Sequence, residues 1–186
     1  MRNSKCLLVL LIVLALGATI FMNVNPVSAA SAAEIERDVD SAVKKLAAKY
    51  PWTKELAEKA KGVLVFPSVV KGGFMVGGQF GEGALRKQGK TVAYYNTISA
   101  SYGLQAGLQR YGYALFFMTD SALAYLDRSD GWELGTGPSI VIADKGMATG
   151  VSTTTASSDV YAFFFDQGGL MAGLGLQGTK ITKVQK

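Results

Sequence analysis

The chain of 186 residues contains no histidine and one cysteine, Cys6. Without histidine, the usual zinc ligand sets, the Ser-His-Asp and Cys-His nucleophile arrangements and a histidine pH switch are all excluded. Cys6 sits in a segment that reads as a cleaved leader. The remaining chain therefore has no disulfide framework, although an exported protein would be allowed one. Charge is also sparse: 18% of residues are charged, against 49% hydrophobic and 10% aromatic, which is the composition of a packed globule and not of a disordered tail. No EF-hand spacing is present. No metal, no cofactor and no enzymatic activity are expected.

Arg2 and Lys5 open the chain, Cys6 to Met22 carries no charge, and the segment to Ala30 is small and polar, ending Val27-Ser-Ala-Ala30. This pattern predicts a secretory signal peptide over residues 1–30, cut after Ala29 or Ala30. The apolar run of about 17 residues approaches the ~20 that span a bilayer, so an uncleaved anchor is the competing reading. Cys6 lies at the start of the run, where a lipoprotein signal would not place its acylated residue. Cleavage lowers the net charge from +5 to +3. That mild excess lacks the concentrated basic stripe of a nucleic-acid binder. About 156 residues remain, enough for one domain that buries roughly two-thirds of its unfolded surface.

Ile35, Val39, Val43, Leu46 and Tyr50 recur at helical spacing and predict a helix over Ala33 to Tyr50. Ser31 and Glu34 form a capping-box pattern, and Pro51 stops the helix. A second short helix is expected from Thr53 to Lys61, capped by Thr53 and closed by Gly62. From Gly62 onward the period becomes two, as in Phe74-Met-Val-Gly-Gly-Gln-Phe80 and Leu104-Gln-Ala-Gly-Leu108, which predicts strands. Val63 to Phe66, Tyr111 to Met118, Ile140 to Ala143 and Val160 to Phe165 are apolar on both faces and are expected to be central strands. Turns are expected at Gln88-Gly-Lys90, Arg110-Tyr-Gly112, Asp130-Gly131 and Gln167-Gly-Gly169. Thr119 to Asp127 opens with capping residues and predicts one inserted helix with Leu123 and Leu126 on one side. Ser152 to Ser158 reads as an edge strand or a loop. The segments Gly72-Gly-Phe-Met-Val-Gly77 and Gly168-Gly-Leu-Met-Ala-Gly173 are weakly alike, as a pseudo-symmetric pair of strands would be.

Gly173-Leu-Gly-Leu-Gln-Gly178 matches the dinucleotide pattern but opens no helix and lacks the later acidic residue, so its glycines read as strand curvature. The Gly72 to Gly83 cluster lacks the Gly-Lys-Ser/Thr ending of a phosphate loop and reads as a bent strand. Asp120, Asp127, Asp130, Asp144, Asp159 and Asp166 fall at predicted turns and helix ends, where caps explain them better than an acid pair.

Lys44, Lys45 and Lys49, followed by Lys54, Lys59 and Lys61, form the densest basic cluster. Interspersed Glu55 and Glu58 make a solvated face the plain alternative to contact with anionic headgroups, where each cation contributes about 1 kcal/mol. Lys71, Arg86, Lys87, Lys180 and Lys183 flank the glycine segments and form a second patch if the fold joins those segments. Phe116, Phe117 and Phe163 to Phe165 read as core, with an apolar cavity open to lipid chains as the sharper alternative.

Taken in order, Lys61-Gly-Val-Leu-Val-Phe-Pro67, the glycine-rich Lys71 to Arg86, Tyr102-Gly-Leu-Gln-Ala-Gly107, Gly135-Thr-Gly-Pro-Ser139 and Gly168 to Gly178 resemble a SYLF domain along nearly the whole chain from Ala33 to Lys183. Within that family the chain is similar to the bacterial secreted type, since Tyr94-Tyr-Asn96 stands where eukaryotic members carry a Trp-x-x-Pro segment. The resemblance implies binding of phospholipid or a membrane surface. Eukaryotic members are cytosolic, bind phosphoinositides and in some cases actin, neither of which an exported bacterial protein meets at home.

The expected architecture is a single α+β domain over residues 31–186. N-terminal helices pack on a strongly curved, mainly antiparallel sheet or partly closed barrel with one short inserted helix. The expected function is non-enzymatic binding of anionic phospholipid in the periplasm or at the outer-membrane periphery. It would act through Lys44, Lys45, Lys49, Lys61, Lys71, Arg86, Lys87, Lys180 and Lys183 and an apolar surface or cavity. The alternative is a structural or protein-interaction module of the cell envelope, with partners the sequence does not name. An outer-membrane barrel fits less well, because the chain begins with a long helical segment and its strands do not alternate cleanly around a lipid-facing band.

Overall fold

The computed structural model describes residues 29–74, 76–102, 107–128, 131–133, 137–143, 158–169 and 178–186. The predicted signal segment apart from its last two residues, the Ser152–Ser158 stretch apart from its last residue, Asp130, Asp144 and most of the Gly173–Gly178 motif lie outside them.

Helix α1 spans Ala32–Lys49 and begins as its sequence dictates: the Ser31 hydroxyl accepts from Glu34 N, and the Glu34 carboxylate accepts from Ser31 N at 2.7 Å. Of the predicted stripe, Ile35, Val39, Leu46 and Tyr50 are buried, joined by Ala42, whereas Val43 is exposed, because it lies on the side of the helix that lines a groove and not under the sheet. Helix α2 spans Thr53–Lys59. Thr53 lies inside it and not at its cap. Its hydroxyl donates to Tyr50 O at 2.7 Å, backing up the end of α1 instead. Gly62 does not close this helix but opens the first strand.

The strands are β1 (Gly62–Phe74), β2 (Val76–Lys87), β3 (Lys90–Tyr102), β4 (Gly107–Phe117), β5 (Trp132–Glu133), β6 (Ile140–Ala143), β7 (Val160–Gly169) and β8 (Lys180–Val184). Helix α3 (Asp120–Leu126) lies between β4 and β5, capped by the Thr119 hydroxyl on Ala122 N. They form one sheet in the order β5-β8-β3-β2-β1-β4-β7-β6, antiparallel throughout except where β6 pairs with β7. The sheet is curled into a half-barrel with α1 and α2 on its convex face. The α+β expectation holds, with one inserted helix.

Three local expectations are corrected. Ile140 to Ala143 is an edge strand, and Ile142 is exposed. Arg110-Tyr-Gly112 runs through β4 and Gln167-Gly-Gly169 ends β7, with the ladder slipping between Arg110 and Gly112. Gly112 is required by packing and not by a turn, since a Cβ there would collide with the Phe165 ring. By contrast Gln88 and Gly89, with φ of 51° and 77°, make the two-residue β2–β3 hairpin turn as predicted.

The curl divides the core in two. Inside the concave face lie Leu64, Phe66, Tyr95, Tyr113, Leu115, Phe117, Phe164 and Ile181, closed by Leu123 and Leu126 of α3 and by Trp132. Between the convex face and α1 lie Val65, Ala84, Ala114, Phe116, Tyr161, Phe163 and Phe165. All five phenylalanines at 116, 117 and 163–165 are therefore core. The two alike Gly-Gly pairs end β1 and β7, the two neighbours of β4: Gly73 faces Gly107 and Gly168 faces Arg110.

Candidate functional site

The predicted basic residues do not gather in one place. On α1, Lys45 Nζ pairs with Asp166 of β7 at 2.6 Å, and Lys49 Nζ reaches Phe164 O at 3.5 Å. Both thus contact the β7 flank while remaining exposed, as Lys44 is. Lys61 lies 3.6 Å from Asp120, and Lys183 lies 3.2 Å from Asp127, whose carboxylate also accepts from the Tyr95 hydroxyl. Lys87 and Lys90 face each other across the β2–β3 hairpin and are exposed. Lys71 lies on the concave face beside Gln79 and Gln109.

Arg86 is not a surface cation at all. Its side chain is 15% exposed and holds Asp40 at 2.6 Å and Glu36 at 3.3 Å, tying α1 to β2. Glu36 also accepts from Thr91 at 3.0 Å and Tyr94 at 2.9 Å. Burial opposes ionisation of Glu36, but the Thr91 and Tyr94 hydrogen bonds and the Arg86 charge outweigh it and hold its pKa below the ordinary value.

Beside this tether an apolar groove of about 360 Å³ runs between α1, α2 and the sheet. Val43, Ala47, Ala57, Val63 and Phe116 line it, with Lys54, Glu58 and Arg86. Its size falls at the lower end of the range for small-ligand sites.

A second feature lies further along the convex face, beyond the reach of α1. Here the pairing register sets Val70 opposite Phe80, Phe80 opposite Ile98, and Gly72 opposite Leu108. The four apolar side chains are 38%, 48%, 48% and 67% exposed for Val70, Phe80, Ile98 and Leu108. They form one strip across β4, β1, β2 and β3. Arg110 stands opposite Val70 at one side, and Lys180 stands opposite Ile98 at the other. Both cations are exposed. Contiguous apolar surface edged by polar groups marks an interaction site, whereas scattered exposed residues do not. Of this strip the sequence reading had singled out only Lys180. The two-residue period of β2 was legible, but nothing local tells which of two faces a distant helix covers.

An α+β half-barrel whose helices leave part of the convex sheet open is the class of domain these residues build. Residues 98–186 match the family described as Ysc84, Las17-binding protein actin regulator. That segment is thus similar to the SYLF family that the motifs of the chain resemble. No curated protein matches the chain.

Proposed function

We propose that the protein is a non-enzymatic binder of anionic phospholipid surfaces in the bacterial cell envelope, delivered across the inner membrane by residues 1–30. It then works in the periplasm or at the outer-membrane periphery. The observation that carries this reading is the exposed strip Val70–Phe80–Ile98–Leu108 between Arg110 and Lys180. Apolar side chains that insert at the headgroup boundary, with cations beside them for anionic lipid, are the chemistry of peripheral membrane binding. Lys44, Lys54, Lys87 and Lys90 add exposed positive charge, and the groove beside Lys54 offers apolar volume for part of a chain. The SYLF resemblance supports the same direction. Las17 and actin belong to the description of the matched family, and an exported protein is proposed to meet neither.

Co-sedimentation of the purified protein with neutral and anionic liposomes across a salt series tests the proposal. Binding to anionic vesicles that weakens with salt is expected. Indifference to both vesicle types, with protein partners captured instead, would leave an envelope-interaction module in its place.

A further inference from the structure

One row of residues crosses the concave face near its glycine-rich end. Register sets Gly169, Gln109, Lys71, Gln79 and Ser99 side by side on β7, β4, β1, β2 and β3. Thr179 joins the row just before β8, where its hydroxyl accepts from Gln79 Nε2 at 3.0 Å. The row below contains Tyr111, Val69, Gly81 and Thr97, and the row above contains Gly107, Gly73 and Gly77. The polar row therefore floors a surface whose next layer has three positions without side chains.

Two members of the row are left over. Lys71 is half-buried, takes part in no ion pair among the described residues, and no carboxylate occupies its row or these positions on either side. Its neighbour Gln109 is 5% exposed, and its Oε1 has no hydrogen-bond partner among the described residues. Gln79, by contrast, is paired at both ends of its amide, with Thr179 and with Tyr111. Gln79 Oε1 accepts from the Tyr111 hydroxyl at 2.6 Å, and burial pushes the Tyr111 pKa up to about 12, so that this phenol stays a donor. Cross-strand neighbours hold their Cβ atoms about 5 Å apart, so the spare cation and the spare acceptor are within reach of one small molecule.

We propose that this row binds a small hydroxylated anion, with its negative group on Lys71 Nζ and one hydroxyl donating to Gln109 Oε1. A bare anion would answer Lys71 and leave Gln109 unpaired. A neutral polyol would do the reverse. The Ser99 and Thr179 hydroxyls stand in the same row to donate to the anion. Sugar acids and polyol phosphates share this chemistry, and a polyol phosphate arrives either free or as a lipid headgroup. The site lies on the opposite face of the strands from the apolar strip and does not rest on the membrane reading.

Calorimetric titration of the purified protein with sn-glycerol 3-phosphate, D-gluconate and monomeric dihexanoylphosphatidylglycerol, beside glycerol and inorganic phosphate, tests it. At least one hydroxylated anion is expected to bind about tenfold or more tightly than either control, and Lys71→Gln and Gln109→Met each weaken it about tenfold. Dihexanoylphosphatidylglycerol binding above glycerol 3-phosphate identifies a headgroup as the source, and the reverse order a free solute. Either order supports the row. Gln109→Met also removes the unpaired acceptor, so the unliganded variant is expected to melt higher than the parent while binding less. No binding by any hydroxylated anion, equal binding of inorganic phosphate, or a Gln109→Met protein that binds normally or melts lower would overturn the proposal.

Discussion

The Tyr113 hydroxyl donates to Thr97 Oγ1 at 2.7 Å, although their strands, β4 and β3, are separated in the sheet by β1 and β2. In a flat sheet, three strand spacings would hold these backbones roughly 14 Å apart. The bond exists because the sheet curls around its concave face, and both partners are fully buried there. Burial also pushes the Tyr113 pKa far above its ordinary value, so the phenol keeps its proton and remains the donor.

Tyr113→Phe strands the Thr97 hydroxyl in the core and is expected to destabilise by about 1–3 kcal/mol. Thr97→Val in the same background should recover much of that loss, because no polar partner is then left unpaired. Urea unfolding of the two single variants and the double variant measures this. Additive losses would mean that the bond does not couple the two strands.

The curl is permitted by small residues on β2. A Cβ at Gly81 would lie 2.7 Å from a Val69 methyl, and one at Gly83 would collide with Val65 O and the Phe66 ring. Gly83→Ala is therefore expected to destabilise by about 1–3 kcal/mol or more, as overpacking does. The thermal midpoint reports it, and a Gly83→Ala protein as stable as the parent would show that curvature does not depend on that contact.

The Glu36–Arg86 tether predicts an acid dependence. Because the folded pKa of Glu36 lies below its ordinary value of 4.5, the carboxylate form favours the fold. That contribution is fully present above the unfolded value, and is lost as pH falls through it toward the lower folded pKa. Thermal midpoints should fall on acidification below about pH 5. Glu36→Gln should lower stability at neutral pH and make the acid decline shallower. Asp127 contributes in the same direction, since burial raises its pKa but bonds from Tyr95 and Lys183 lower it further, so the decline is not abolished. An unchanged acid profile in Glu36→Gln would remove Glu36 from the account.

Some of this molecule was legible in its sequence. The α1 stripe, its capping box, the Gln88-Gly89 hairpin and the inserted helix follow from local chemistry, and local chemistry is what a sequence displays. Arg110-Tyr-Gly112 read as a turn because glycine there answers to a ring 53 positions away in the chain, that of Phe165. Ile140 to Ala143 read as central because apolar runs do not distinguish a buried strand from an edge. For the site, counting lysines found exposed charge but also Arg86, which two carboxylates had already claimed. Phe80, Ile98 and Leu108 escaped notice because alternation announces two faces without saying which one a helix will cover.

The central claim is that the uncovered convex strip meets the membrane. Co-sedimentation with anionic liposomes at low salt, comparing the parent with Phe80→Ser/Leu108→Ser, tests it most directly, because both side chains are exposed and their removal should leave the core intact. Loss of their inserted area is expected to weaken binding by roughly 2 kcal/mol, about thirtyfold, with the thermal midpoint nearly unchanged. A parent that ignores anionic vesicles, or a double variant that binds them as the parent does, would contradict the account.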